Sequence, residues 1–306
     1  MARNLGRFKV IYAYNKIVPA VIVILSILIF VSGLYANNNG SIRDIEITYI
    51  ANSGFLIEVQ DKKILIDALF GREELSFCEI PKPETINRII QARDIFENID
   101  LVLATHNHRD HFHAPFVSEF LQNNKQVAFL STQQAVRDLK MCSNYEKLHN
   151  QIVDTTPEYL SSVHKTINGI ELTIYRLRHS AYYEENPQTG QEFNRHENVQ
   201  NLGFLLDING IKIFHCGDSS PRWINEYQHF RIDRENIDIA FLDRAFIVKK
   251  GQGLDIIKKY INPQNIILMH IHPANTERYE RIVKTTKIDM PPITIFKNQM
   301  ESKTYK

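Results

Sequence analysis

Short apolar runs separated by polar turns recur along most of this chain. Residues 45–50, 54–60 and 62–67 read as three successive strands, with a tight turn at Asp61-Lys62 between the last two. Leu101-Val102-Leu103-Ala104 and residues 127–130 are short, continuously apolar and strand-like. Residues 114–122 and 132–141 carry helical spacing. Residues 172–177 alternate apolar and polar, the pattern of a half-buried strand. The runs at 203–208 and 211–215 flank Asn209-Gly210, a favoured two-residue hairpin turn. Residues 237–242, 266–269 and 293–296 continue the strand series, and helices fit at 222–230, 254–261 and 276–284. In each half of the chain strands come first and strand-helix alternation follows. That order predicts two sheets packed together with helices outside.

One apolar run stands apart. Residues 17–36 are hydrophobic apart from Pro19, Ser26, Ser32 and Gly33, and Arg3, Arg7, Lys9 and Lys16 precede them. A basic leader before such a run is an export signal, and about 20 helical residues can span a bilayer core. Cleavage near Ala36 and retention as a membrane anchor are both open. The charge bias puts the N-terminus in the cytoplasm and the main domain outside it. The expected division is residues 1–40 as signal peptide or membrane anchor and residues 41–306 as one domain. The protein is then expected to be exported, either anchored facing outward or periplasmic or secreted after cleavage.

Composition narrows the field only slightly. The chain has 306 residues, and its 36 Lys+Arg nearly balance 35 Asp+Glu, so no basic excess points to nucleic acid. Cys78, Cys142 and Cys216 contain no CxxC pair, which leaves one disulfide plus a free thiol, or three buried thiols.

The chemistry concentrates in Thr105-His106-Asn107-His108-Arg109-Asp110-His111, directly after an apolar strand. Imidazole and carboxylate suit zinc and similar divalent ions, and a strand ending there would project them at a sheet's carboxyl edge. His179, Asp218, His270 and His272 also follow strands. Gly217 lets the backbone turn sharply before Asp218. Each of the four alone is a weak signal, a lone histidine after a strand being more often a hydrogen-bonded structural residue; together with the cluster they complete a ligand set. His196, in the polar loop 191–200, is an alternative to His179. His113 and His215 read as packing residues and Cys216 as a buried thiol. Tyr182, Tyr183 and Arg244 could each face a substrate or simply pack.

This ordered series, His106-x-His108-x-Asp110-His111, His179, Gly217-Asp218 and Met269-His270, resembles the metallo-β-lactamase-fold superfamily of metallohydrolases from about residue 45 onward. The branch it looks most like is the lactonase/phosphodiesterase-like group. The resemblance implies an α/β (α+β) fold, a four-layer αββα sandwich, here preceded by an N-terminal hydrophobic helix. It implies that His106, His108 and His179 hold one metal and that Asp110, His111 and His270 hold a second, with Asp218 bridging. Asp67 matches a family aspartate that orients ligands.

The expected cofactors are two divalent metal ions, zinc first, with Mn2+ or Fe2+ as alternatives. The expected activity is hydrolysis of a small ester, lactone or phosphodiester by a hydroxide shared between the ions. Asp110 is the candidate proton acceptor and His272 the candidate donor to the leaving group. A small-molecule substrate is the expected partner, nucleic acid is not, and a membrane is one through an uncleaved N-terminal segment. The competing readings are a mononuclear iron oxidoreductase on the same fold and a non-catalytic binding protein.

Overall fold

The computed structural model describes residues 44–248, 251–286 and 290–306. The expected signal or anchor segment, and with it the N-terminal hydrophobic helix, lies outside them. Among the described residues no helix is long and apolar enough to cross a membrane.

The first half of the chain supplies β1 (Ile45–Ala51), β2 (Gly54–Val59), β3 (Lys62–Ile66), β4 (Leu101–Leu103), β5 (Ala128–Ser131) and β6 (Ile152–Asp154). The second supplies β7 (Ser162–Ile167), β8 (Ile170–Arg178), β9 (Tyr183–Glu185), β10 (Glu192–Asn194), β11 (Gln200–Ile208), β12 (Ile211–His215), β13 (Ile239–Asp243), β14 (Asn265–Met269), β15 (Ile293–Ile295) and β16 (Ser302–Tyr305). One seven-stranded sheet runs β16-β1-β2-β3-β4-β5-β6, the other β15-β14-β13-β12-β11-β8-β7. The short β9–β10 hairpin pairs only with itself.

Both large sheets contain an antiparallel part and a parallel part. β1, β2 and β3 pair antiparallel, whereas β3 through β6 run parallel. In the second sheet β7, β8, β11 and β12 are antiparallel, and β12 through β15 parallel. Parallel neighbours need a crossover. Helices Pro83–Ile90, Ala114–Asn123 and Gln133–Leu139 supply the crossovers in the first sheet. Ile224–Phe230, Gln252–Ile256 and Thr276–Thr285 lie in those of the second.

The period-two pattern of the strands builds the layers. Phe55, Ile57, Ile64 and Ile66 face the second sheet's apolar residues, with the Phe55 and Phe241 rings 4.7 Å apart. Leu56, Leu65, Val102 and Phe129 point the other way, onto Ile89, Phe120 and Ala135 of the first three helices. The result is a mixed α/β fold with two large sheets, consistent with a metallo-β-lactamase sandwich.

Most elements follow the apolar pattern to within a few residues. Asn209 and Gly210 both take positive φ, 52° and 85°, and join Ile208 to Ile211 in the expected hairpin. The β2–β3 turn sits one residue earlier than expected. Val59 pairs with Lys62, so Gln60-Asp61 makes the turn and Gln60 takes the positive φ. The expected helix at 254–261 is a short α-helix that widens into a π turn at Ile257–Ile261. Cys78, Cys142 and Cys216 are all free thiols, so none of them forms a disulfide.

Candidate metal centre

The parallel strands end on one side of the molecule, and their carboxyl ends carry the polar cluster. Asp67 follows β3 and residues 105–111 follow β4. Asp218 follows β12, Asp243-Arg244 close β13, and His270 follows β14. His179 comes from the end of the antiparallel β8.

The seven candidate ligands meet there in two adjoining groups. His106, His108 and His179 form one; Asp110, His111, Asp218 and His270 form the other. In each group the available ligand atoms lie within 4.8 Å of one another. Asp218 reaches both groups. Its Oδ1 is 3.1 Å from His111 Nε2, and its Oδ2 is 3.3 Å from His179 Nε2 and 3.4 Å from His270 Nε2. Asp110 Oδ2 lies 3.1 Å from His270 Nε2.

The hydrogen bonds behind the rings fix their tautomers. Asp67 is buried and accepts from the Thr105 amide at 2.7 Å, the Thr105 hydroxyl at 2.8 Å and His111 Nδ1 at 2.8 Å. The Thr105 hydroxyl has given its proton to Asp67, so it accepts from His106 Nδ1–H at 3.0 Å. His179 Nδ1 gives its proton to the Ser180 carbonyl at 2.9 Å. In all three rings the neutral form therefore turns a bare Nε2 lone pair inward.

Those lone pairs call for a cation. His106 Nε2 and His179 Nε2 face each other at 3.3 Å, where two acceptors would repel. His111 Nε2 and Asp218 Oδ1 are buried without a hydrogen-bond partner although they lie 3.1 Å apart. Imidazoles and carboxylates so arranged fit divalent ions of the zinc type.

The two groups differ in charge. Burial, reinforced by the neighbouring His111, pushes the His106 imidazole well below its ordinary range. Burial and His179 bring His108 down to about 4. In the other group burial also disfavours charge, but opposite charges outweigh it. Asp218, Asp110 and Asp67 hold His111 well above the usual imidazole range. Asp218 and the bond to Asp110 raise His270 to about 10. Against the same burial, His111 and His270 hold Asp110 down at about 2 and keep Asp218 well below the usual carboxylate range.

Further residues position the ligands. Asn201 Oδ1 accepts the Asp218 amide at 2.9 Å, while its Nδ2 donates to the Cys216 carbonyl at 3.3 Å. Gly217 has φ +57°, and a Cβ there would stand 2.3 Å from Asn201 Oδ1, so no side chain fits. His215 accepts the Gly217 amide at 3.1 Å and packs by Phe241, the core position expected of it. Asn52, in the β1–β2 turn, donates to the Asp110 carbonyl at 3.2 Å. Glu226 is buried and accepts the amide of Arg178, the residue before His179, at 3.0 Å. Burial pushes the Glu226 carboxyl up to about 7.

The remaining candidates take these places. Arg244 Nη1 lies 2.7 Å from His270 Nδ1 and also donates to the His270 carbonyl. His196 packs edge-on against His179, ring centres 4.3 Å apart, and donates Nδ1–H to the Ser180 carbonyl at 2.9 Å. It adjoins the first group without belonging to it. His113 packs on Phe116. His272 caps the turn Pro273–Asn275 by accepting the Ala274 amide at 3.2 Å. Tyr182 and Tyr183 are exposed beside the site.

A family profile described as Beta-lactamase superfamily domain matches residues 62–278. This chain belongs to that family. A curated relative from Methanosarcina barkeri, named a UPF0173 metal-dependent hydrolase, is 26% identical over 175 residues, 57% of this chain and 61% of the relative. The chain thus matches about three fifths of that relative's length. A second relative of the same name, from Polaromonas sp., is 23% identical over 233 residues, 74% of this chain and 76% of its own. Among solved structures, Igni18, described as a metallo hydrolase from Ignicoccus hospitalis, has TM-score 0.56 at 18% identity, covering 86% of this chain and 99% of its own. The metallo-beta-lactamase fold protein YhfI from Bacillus subtilis has TM-score 0.57 at 15% identity, covering 86% of this chain and 100% of its own. At such identities the structural likeness is one of fold.

Proposed function

We propose that this protein is a metal-dependent hydrolase that holds two divalent ions, zinc by preference, and cleaves a small ester, lactone or phosphodiester. The observation that carries this reading is the pair of adjoining groups joined by Asp218. Three imidazoles, of which His106 and His179 turn Nε2 inward, face one side of its carboxylate, and two imidazoles with a second carboxylate face the other. The names of the curated relatives point the same way.

Two divalent ions bound there would supply a water of near-neutral pKa and polarise the attacked oxygen. The chain's own residues do the rest. His106, His108 and His179 would hold the first ion. Asp110, His111 and His270 would hold the second, with Asp218 within reach of both groups. Asp67 keeps His106 and His111 in the tautomer that presents Nε2. Asp110 Oδ2 receives the proton lost by the attacking water, and Asn52 holds that carboxylate at 3.3 Å. The Ala274 amide occupies His272 Nδ1, so neutral His272 carries its proton on Nε2 and donates it to the leaving group. No serine or cysteine nucleophile is needed, which agrees with the buried, unpaired Cys216.

The test is a panel of chromogenic esters, lactones and phosphodiesters with the full chain loaded with zinc, manganese or iron(II). Turnover by the wild type and its loss in Asp110→Ala support the reading. Equal rates in both proteins, or one iron per chain with oxygen consumption and no hydrolysis, overturn it.

A further inference from the structure

We infer that the cavity beside His179 is a subsite for a flat aromatic group of the substrate, stacked against Tyr183 and Trp223. The inference deepens the hydrolase reading and rests on it for the bond that is cleaved. The cavity holds about 450 Å³, within the range of small-molecule sites. His179 and His196 form its inner end, and Tyr183, Phe193 and Trp223 are its aromatic lining. A group seated there lies against His179, one member of the three-histidine cluster.

The outer wall is unusual for a protein surface. Of eight exposed large hydrophobic side chains among the described residues, four (Tyr159, Tyr182, Tyr183 and Phe193) belong to this neighbourhood. Tyr183 is 43% and Phe193 46% exposed. Scattered apolar residues need no explanation, but a concentrated patch at the mouth of a site does. Tyr183 and Phe193 both come from the β9–β10 hairpin, which joins neither large sheet. The hairpin therefore contributes nothing to either ladder, while it walls the site.

The shape of the wall selects the ligand. The Arg178 guanidinium lies between the rings of Tyr159, at 4.6 Å, and Trp223, at 5.0 Å. The Arg222 guanidinium lies over Tyr183 at 5.1 Å and donates to its hydroxyl at 3.1 Å. Trp223 is fixed in turn, because its Nε1 donates to the His179 carbonyl at 2.9 Å. These are planar groups held in place by other planar groups. An aromatic ring gains from offset or edge contact with such faces beyond the area it buries, and a flexible alkyl chain does not. Glu192, Asn194 and Glu197 form a polar rim.

Trp223 is the single tryptophan of the chain, so its emission reports on this cavity alone. The experiment titrates the full chain, metal-loaded and metal-free, with phenyl phosphate and with methyl phosphate, which share the same anionic end. Phenyl phosphate is expected to give a saturable change in Trp223 emission in both forms, at roughly tenfold lower concentration than methyl phosphate. Tyr183→Ala is expected to erase that advantage and Tyr183→Phe to keep it. Both substitutions lie on an exposed hairpin outside the core. No saturable change, equal affinity for the two phosphates, or an unaltered Tyr183→Ala protein would each overturn the subsite. Selective phenyl phosphate binding without hydrolysis of any panel substrate would overturn the hydrolase reading and leave the subsite standing.

Discussion

The two ligand groups at the sheet edge share Asp218 yet face an incoming cation differently. In the three-histidine group burial and mutual repulsion keep His106 and His108 neutral. In the other group opposite charges hold protons on His111 and His270 beside Asp110 and Asp218, although His111 Nε2 and Asp218 Oδ1 make no hydrogen bond. A cation entering the first finds lone pairs waiting. One entering the second must expel protons, so its affinity falls more steeply with acid. The backing of the rings differs too. His106 and His179 hand Nδ1–H to oxygen acceptors, whereas His270 Nδ1 faces the Arg244 guanidinium, which can only donate. The first group is preorganised and the second has to rearrange.

The sharpest way to break this comparison is to remove the residue both groups share. Asp218→Ala is expected to lower kcat/KM by roughly 10³-fold or more, since a bound ion contributes several kcal/mol to the transition state. Metal content per folded chain should fall with it, and a variant that keeps both ions would refute the bridging role. Next, His108→Ala and His111→Ala should each cost one ion per chain, from different groups. Metal analysis across pH decides between the sites. The ion retained in His111→Ala should bind with the weaker pH dependence, and the reverse order would invert the comparison.

Asp67→Ala reaches both groups through His111 and Thr105. Loss of such a partner typically costs 10–100-fold in metal affinity, measurable by chelator competition, and an effect confined to one ion would show that the Thr105 link is idle.

A smaller effect concerns the metal-free protein. Asp110 sits at about 2 when folded, below its unfolded value of about 3.9, so its contribution is present above pH 4 and is lost as pH falls toward 2. His270 sits at about 10, above an unfolded value of about 6.5. Its contribution is complete below pH 6.5 and is lost as pH rises through 10. The melting temperature of metal-free protein should therefore decline between pH 7 and 10, and His270→Asn should flatten that decline. Parallel curves would contradict it. The smallest expected change is in Arg244→Gln. Its amide oxygen can accept from a protonated His270 Nδ1, so the second ion should bind a few-fold more tightly. Calorimetric titration with zinc reads this directly, and weaker binding would mean that the guanidinium supports the site.

The sequence made half of this site easy to see, for a physical reason. His106 through His111 are contiguous, so one loop carries residues of both groups. Asp218 and His270 were visible because each follows a strand, the place where an α/β sheet presents its side chains. Asn52, Asn201 and Glu226 were not visible. Each acts by hydrogen-bonding a main-chain group distant in the chain, a relation that only folding creates. The same holds for β16, whose partner β1 lies at the other end of the described chain. The exposed strand β7 lacked a clear buried face, and the short β9–β10 hairpin offered no apolar alternation. Helix Pro83–Ile90 did carry a signal that the strand-centred pattern passed over: proline at its start and isoleucines at 86, 89 and 90 on one face.

The last strand has a consequence for handling the protein. β16 covers the outer margin of β1 from Ile45 to Thr48, so the final residues seal a row of amide and carbonyl groups that would otherwise stand open to a foreign strand. Trimming the C-terminus before Ser302 turns that margin into a template for self-association, although every metal-facing side chain is still in place.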